Sequence, residues 1–170
     1  MSLTLSSTRG ISSNGTNWAF VPNKNGSISF PNRPMFYAYN PAGVFSSTVG
    51  FIFEFNQTRV NVGNHYNTST YKFTAPQNGV YEFFGGALFR YRGSASNGEV
   101  AFYVNNTNVG VRGQAYCVNN TSGGHTHNHV TMLLNLVTGD SVDFRIWSRN
   151  AGCDYYYGQN LGYFSGIQRG

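Results

Sequence analysis

The sequence predicts an all-β, antiparallel two-layer architecture, a sandwich or jelly roll, on three observations. Short apolar and aromatic runs alternate with polar residues at a period of two. Turn signals rich in Gly, Asn and Pro interrupt those runs roughly every ten residues. The composition is rich in Gly, Asn, Ser, Thr, Tyr and Phe and poor in Leu, Lys and Glu, which favours strands and turns over helices. No window shows sustained helical periodicity, and none is long and apolar enough to span a bilayer as a helix. At 170 residues the chain is long enough to bury a sizeable core.

Taken in order, residues 1–30 are Ser-, Asn- and Gly-rich and read as a lead-in where a stalk joins, with one short strand near 18–21. Residues 1–10 lack the basic start and apolar segment of a secretory leader. The domain proper spans 31–170. Its first firm strand is 34–39 (PMFYAY), and a second is expected at 49–55 (VGFIFEF). Gly63 and the Asn-rich run after it mark a turn, and 71–74 is a short strand. A further turn at 75–79 (APQNG) leads into a long aromatic strand from Val80 to about Phe89. Strands at 99–104 (EVAFYV) and 108–118 follow, separated by Asn105-Asn106-Thr107. After the strand at 125–136, Thr138-Gly139-Asp140 turns into 141–148 (SVDFRIWS), and 163–167 closes the domain.

The strand at 125–136 (HTHNHVTMLLNL) organises the rest. One of its faces carries Val130, Met132, Leu134 and Leu136 and must point into the core. The other carries His125, His127, His129, Thr131, Leu133 and Asn135. Three of the four histidines share that second face, which is neither a core nor an ordinary solvated surface. The reading is that it is buried against two further copies of the same strand. Alternate residues on one strand face lie about 6.5 Å apart, so two imidazoles can lean toward a common point. One strand offers two nitrogens and three strands offer six, a donor set suited to iron, nickel or cobalt rather than to oxygen-seeking calcium. His125/His127 and His127/His129 both qualify as the pair. The alternative is that the imidazoles stack at a polar axis without metal.

Charge excludes some functions. The formal net charge of +5 arises from few acids, and the arginines are scattered rather than clustered as nucleic-acid binding requires. No nucleic-acid or membrane-inserting role is expected. The six acids show no glycosidase spacing, and no nucleophile elbow, zinc-protease motif or phosphate loop is present, so an enzyme is not expected. Cys117 and Cys153 could pair or remain buried thiols. The sequons at Asn56, Asn67 and Asn105 are expected by chance in such a composition.

The ordered motifs resemble the complement C1q domain. They are Arg33-Pro34-Met35-Phe36-Tyr37-Ala38; Asn61-x-Gly63-x-x-Tyr66-Asn67; Lys72-Phe73-Thr74-Ala75-Pro76; and Gly79-x-Tyr81-x-Phe83. Leu136-x-x-Gly139-Asp140-x-Val142 and Tyr163-Phe164-Ser165-Gly166 complete the set. The resemblance, shared with tumour necrosis factor-like domains, implies a jelly roll of about ten strands assembling as a compact homotrimer. It places His129, Thr131 and Leu133 at the three-fold axis, with Phe164 nearby. No collagen-like Gly-X-Y stretch occurs, and the axial region has Thr126 and His127 where calcium-binding relatives use carboxylates. The lead-in and the His-X-His run are more similar to C1q-like tips of bacteriophage tail fibres, which implies a virion or otherwise extracellular location.

A trimeric binding head for a cell-surface glycan or protein receptor is therefore the leading expectation, against a purely structural trimerisation cap or a secreted ligand. The expected recognition loop is 149–159 (RNAGCDYYYGQ), with Arg149, Asp154, Tyr155, Tyr156 and Tyr157 as contacts. Alternation sends Tyr155 and Tyr157 one way and Tyr156 the other, so these tyrosines are expected to divide between surface and core.

Overall fold

The computed structural model describes residues 4–6, 10–12, 18–22, 28–30, 32–91, 96–117, 125–150 and 152–169. The chain divides into two compact units, Met1–Pro34 and Met35–Gly170. The first contains a small antiparallel sheet of β1 (Thr4–Ser6), β2 (Gly10–Ser12), β3 (Trp18–Pro22) and β4 (Ile28–Ser29), in that order. The expected strand near 18–21 is β3, and the three others have no alternation long enough to announce them.

The second unit is built from β5 (Met35–Tyr39), β6 (Phe45–Ser46), β7 (Gln57–Val62), β8 (Tyr66–Asn67), β9 (Lys72–Thr74) and β10 (Gly79–Tyr91). It continues with β11 (Ser96–Val104), β12 (Thr107–Cys117), β13 (His125–Leu136), β14 (Ser141–Arg149), β15 (Cys153–Tyr156) and β16 (Tyr163–Gln168). They form two antiparallel sheets and no helix among the described residues, the jelly-roll sandwich that the pattern predicts. The front sheet runs β6-β15-β10-β16-β5-β7, with β13 paired to β10 along its length, from Gly79↔Leu136 to Arg90↔His125. β16 and β15 also pair with β10, over Tyr81–Gly86 and Leu88–Tyr91 respectively. The back sheet runs β12-β11-β14-β9-β8.

The core between the sheets is aromatic. Phe36, Phe53, Phe55, Phe73, Tyr81, Phe83, Phe89, Phe102, Phe144, Tyr155, Tyr157 and Phe164 are buried. Each large ring removed from water contributes on the order of 2–3 kcal/mol, and the rings also meet in stacked and edge-on pairs. Phe36 stacks on Tyr66 at 4.8 Å and receives Phe164 edge-on at 4.8 Å. Rings this wide need space elsewhere, and glycine supplies it. A Cβ at Gly85 would stand 2.7 Å from the Phe144 ring, and one at Gly166 would stand 2.6 Å from Phe83. The buried phenols keep partners: Tyr66 Oη donates to the Phe55 carbonyl at 2.9 Å, and Tyr81 Oη to that of Gln77 at 2.8 Å. Burial raises the phenol pKa of both Tyr66 and Tyr155.

Three expected elements differ. Residues 49–55 form no continuous strand. Gly50 turns the chain with φ +83°, and a short stretch around Ile52 bonds to β14, with Gly50 N–H to the Ile146 carbonyl and Phe53 N–H to that of Phe144, before Phe55 N–H bonds back to the Phe53 carbonyl. The strand expected at 71–74 begins at Lys72, because Tyr71 is left-handed (φ 61°). The expected tyrosine loop contains a true strand, β15, held between β10 and β6.

Candidate functional site

The outward face of the front sheet is built row by row from the strand register. Because β13, β10, β16 and β5 pair in that order, outward residues on neighbouring strands stand side by side. His129 sits across from Gly86, then Tyr163, then Tyr39. The next row is Thr131, Phe84, Ser165 and Tyr37, and the next is Leu133, Glu82, Ile167 and Met35. In the opposite direction His127 shares a row with Leu88 and Tyr156, and His125 with Arg90 and Asp154.

This face has two halves. The lower half is largely apolar and open, with the Glu82–Arg169 ion pair set into it: Leu133 is 62 % exposed, and Val80 and Val60 are also exposed. A hollow of about 200 Å³ lies there, lined by Met35, Tyr37, Val60, Phe84, Ser165 and Ile167. Exposed apolar residues grouped on one sheet face are the kind of surface that interaction sites use. The upper half carries the histidines. His125, His127 and His129 all face outward and are exposed, while Asn128, Val130 and Leu136 point inward and are buried. The pleat thus separates the faces as the sequence indicates, and adds Asn128 to the inner one. Its Nδ2 donates to the Gly98 carbonyl and to Tyr155 Oη, each at 2.9 Å.

The His127 and His129 rings stack with centroids 4.9 Å apart and planes 11° from parallel. His129 Nδ1 is 3.2 Å from Tyr163 Oη. Gly86 makes this approach possible, since a Cβ there would stand 2.8 Å from the Tyr163 ring and 2.9 Å from His129 Nδ1. The Gly85-Gly86 pair therefore clears one face for Phe144 and the other for the imidazole–phenol contact. Among the described residues of one chain, no group of three or more His, Cys, Asp or Glu side chains converges as a metal site.

Desolvation, and secondarily the neighbouring His129, holds the His127 pKa below its ordinary value of 6.5. The depressed pKa means that the unfolded chain binds more protons than the folded one as pH falls through 6.5. The contribution is therefore present above that pH and lost below it. Acid titration of thermal stability should show a downward slope beginning near pH 6.5 that His127→Gln flattens; an unchanged slope would contradict the assignment.

Other predicted site residues fall elsewhere. Phe164 is fully buried and packs on Phe36, Tyr66, Phe83, Phe102 and Phe144. It is a core residue and not part of the outward face, because the pleat of β16 turns Tyr163 outward and Phe164 inward. Tyr163 is the residue that sequence reasoning missed; only the Gly-Gly opposite it hints at the contact. Tyr155 and Tyr157 are also core, with 0 % and 2 % exposure, so as ligand contacts they are corrected. Only Tyr156 remains half-exposed. Asp154 receives both Nε and Nη2 of Arg90, at 2.7 and 2.8 Å, and Arg149 Nε donates to the Ser47 carbonyl. Cys153 is buried; the side chain of Cys117 lies outside the described residues.

Comparison with known proteins agrees with this architecture. No curated protein matches the sequence. The fold is similar to the globular domain of zebrafish complement 1qA protein, with TM-score 0.58 and 16 % identity over 80 % of this chain and 96 % of that one. It is also similar to Eiger TNF from S. frugiperda, with TM-score 0.62 and 9 % identity over 82 % and 94 %. Murine APRIL at pH 5.0 gives TM-score 0.53 and 11 % identity over 81 % and 99 %. Homotrimeric assembly is typical of such domains, and they are typically non-enzymatic binding or ligand domains. The C1q domain model matches residues 35–167, most of the second unit, and the chain belongs to that family.

Proposed function

We propose that the chain is a non-enzymatic, homotrimeric binding head whose copies meet through the outward face of the front sheet. One observation carries the reading. An exposed apolar half-face, with Leu133 62 % exposed, runs in register into a ladder of outward histidines on the same strand. Three copies around an axis bury the first and bring the second together. The head sits outside the cell, at the tip of a fibre or virion or as a free extracellular protein, and recognises a cell-surface glycan or protein.

The histidines suit a structural transition-metal ion on the axis: iron, nickel or cobalt. His127 and His129 are the better pair, because His125 shares its row with the Arg90–Asp154 ion pair. Nδ1 of His129 faces Tyr163, which leaves Nε2 for an ion. Bound there, the ion cross-links three chains and stabilises only the assembled form.

A second reading, the structural cap, gains support from the loss of Tyr155 and Tyr157 to the core, since it removes most of the expected recognition loop. Native mass spectrometry with and without a strong chelator tests the assembly. The expected result is a mass of three chains plus one transition ion, the ion lost in His127→Ala. Three chains without metal leave the histidines as interface packing; a single-chain mass overturns the reading.

A further inference from the structure

We infer that the outward face of the back sheet, around Arg112 and Trp147, is a recognition platform for an acidic saccharide. It lies on the opposite layer from the histidines, on β11, β12 and β14. Outward residues there form a layer of cations stacked on aromatic rings. The Arg112 guanidinium lies 4.3 Å over Trp147, and that of Arg145 lies 4.3 Å over Tyr103. The two rings stand side by side at 6.1 Å. Beneath them Ala101, although outward on β11, is fully buried, so the layer is packed rather than loose.

Two irregularities shape this surface. The β11–β14 register shifts between Glu99 and Val100, so Ser148 and Ile146 are paired and Trp147 is the extra residue. The β11–β12 register shifts between Ala101 and Tyr103, where Gly110 takes φ +88° and Val111 is exposed. Such bulges re-aim side chains and recur beside binding sites. Both flank the platform.

Charge and shape select the ligand. Arg145 is already committed, donating to Asp143, which also takes Lys72 at 3.3 Å. Arg112 is different: its side chain is 41 % exposed and meets Glu99 only at 3.5 Å. Glu99 is meanwhile held by Gln114 at 2.9 Å and Ser148 at 3.1 Å. A guanidinium fork with so loose a partner is suited to an incoming carboxylate. The surface is rimmed by polar groups, Gln114 and Ser148 beside Glu99 and Asn106 beside Arg145. A sugar can set its carboxylate on Arg112 and its hydroxyls on the polar rim, with its ring against the guanidinium–aromatic layer.

The inference rests on the binding-head reading but not on the trimer. Trp18 and Trp147 are the two tryptophans, so Trp18→Phe leaves Trp147 as the single indole reporter. Full-length protein of this background would be titrated with a hyaluronan tetrasaccharide and sialyllactose, and with chitotetraose and lactose as neutral counterparts. The expected result is a change in indole emission with at least one acidic sugar and neither neutral one. Arg112→Ala should weaken it by about tenfold or more, and Arg112→Lys should restore little because the fork is lost. No response to either acidic sugar overturns the inference, as does an equal response to the neutral sugars or one that survives Arg112→Ala. Native mass on the same samples separates the two readings: a trimer that ignores the sugars keeps the assembly and loses the platform, and a responding monomer does the reverse.

Discussion

Replacing Phe164 with alanine should lower the free energy of unfolding by about 3–5 kcal/mol, the cost of removing a fully buried aromatic ring. Phe164 is the hub of the aromatic core, touching Phe36 at 4.8 Å, Phe102 at 5.6 Å and both Tyr66 and Phe83 at 5.9 Å. These neighbours come from both sheets, so no single side chain can collapse into the space. Denaturant titration at fixed protein concentration should show a lower midpoint with an unchanged slope, while the folded fraction keeps the wild-type mass. The opposite pattern, a normal midpoint with a broken assembly, would return Phe164 to the three-fold axis.

Leu133→Asp should have the reverse signature. Leu133 is 62 % exposed in the single chain, so its loss leaves the core of each copy untouched. At an interface it removes about 2 kcal/mol of apolar burial per chain and adds a desolvation penalty of several kcal/mol for each unpaired carboxylate. Every copy carries the substitution, and like charges then face one another close to the axis. Association should be abolished at micromolar concentration with the unfolding midpoint of the separated chain maintained. A variant that still assembles would mean that this half of the face is not where the copies meet.

Much of this was legible in the chain. The β13 faces followed from strict alternation, and the same rule divided Tyr155 and Tyr157 from Tyr156. The jelly roll followed from strand lengths, turn residues and the ordered motifs from Arg33 to Ile167. What sequence could not give was lateral register. Whether Tyr163 or Phe164 faces the histidines depends on which residue of β16 lies opposite Gly86, and a slip of one residue exchanges the faces. The strand character of β15 was hidden for a related reason: a four-residue strand is set by its partners β10 and β6 rather than by its own periodicity. The back-sheet platform was hidden more deeply. Tyr103 and Arg112 share one hairpin but Trp147 comes from a distant strand, and a bulge, which alternation does not reveal, makes Trp147 the extra residue.

The most direct measurement is sedimentation equilibrium of the wild-type chain beside Leu133→Asp, with Trp147→Ala on the opposite sheet as control. Three chains are expected for wild type and Trp147→Ala, and one folded chain for Leu133→Asp. A wild-type chain that sediments as a monomer, or a Leu133→Asp trimer, would contradict assembly through the outward face of the front sheet.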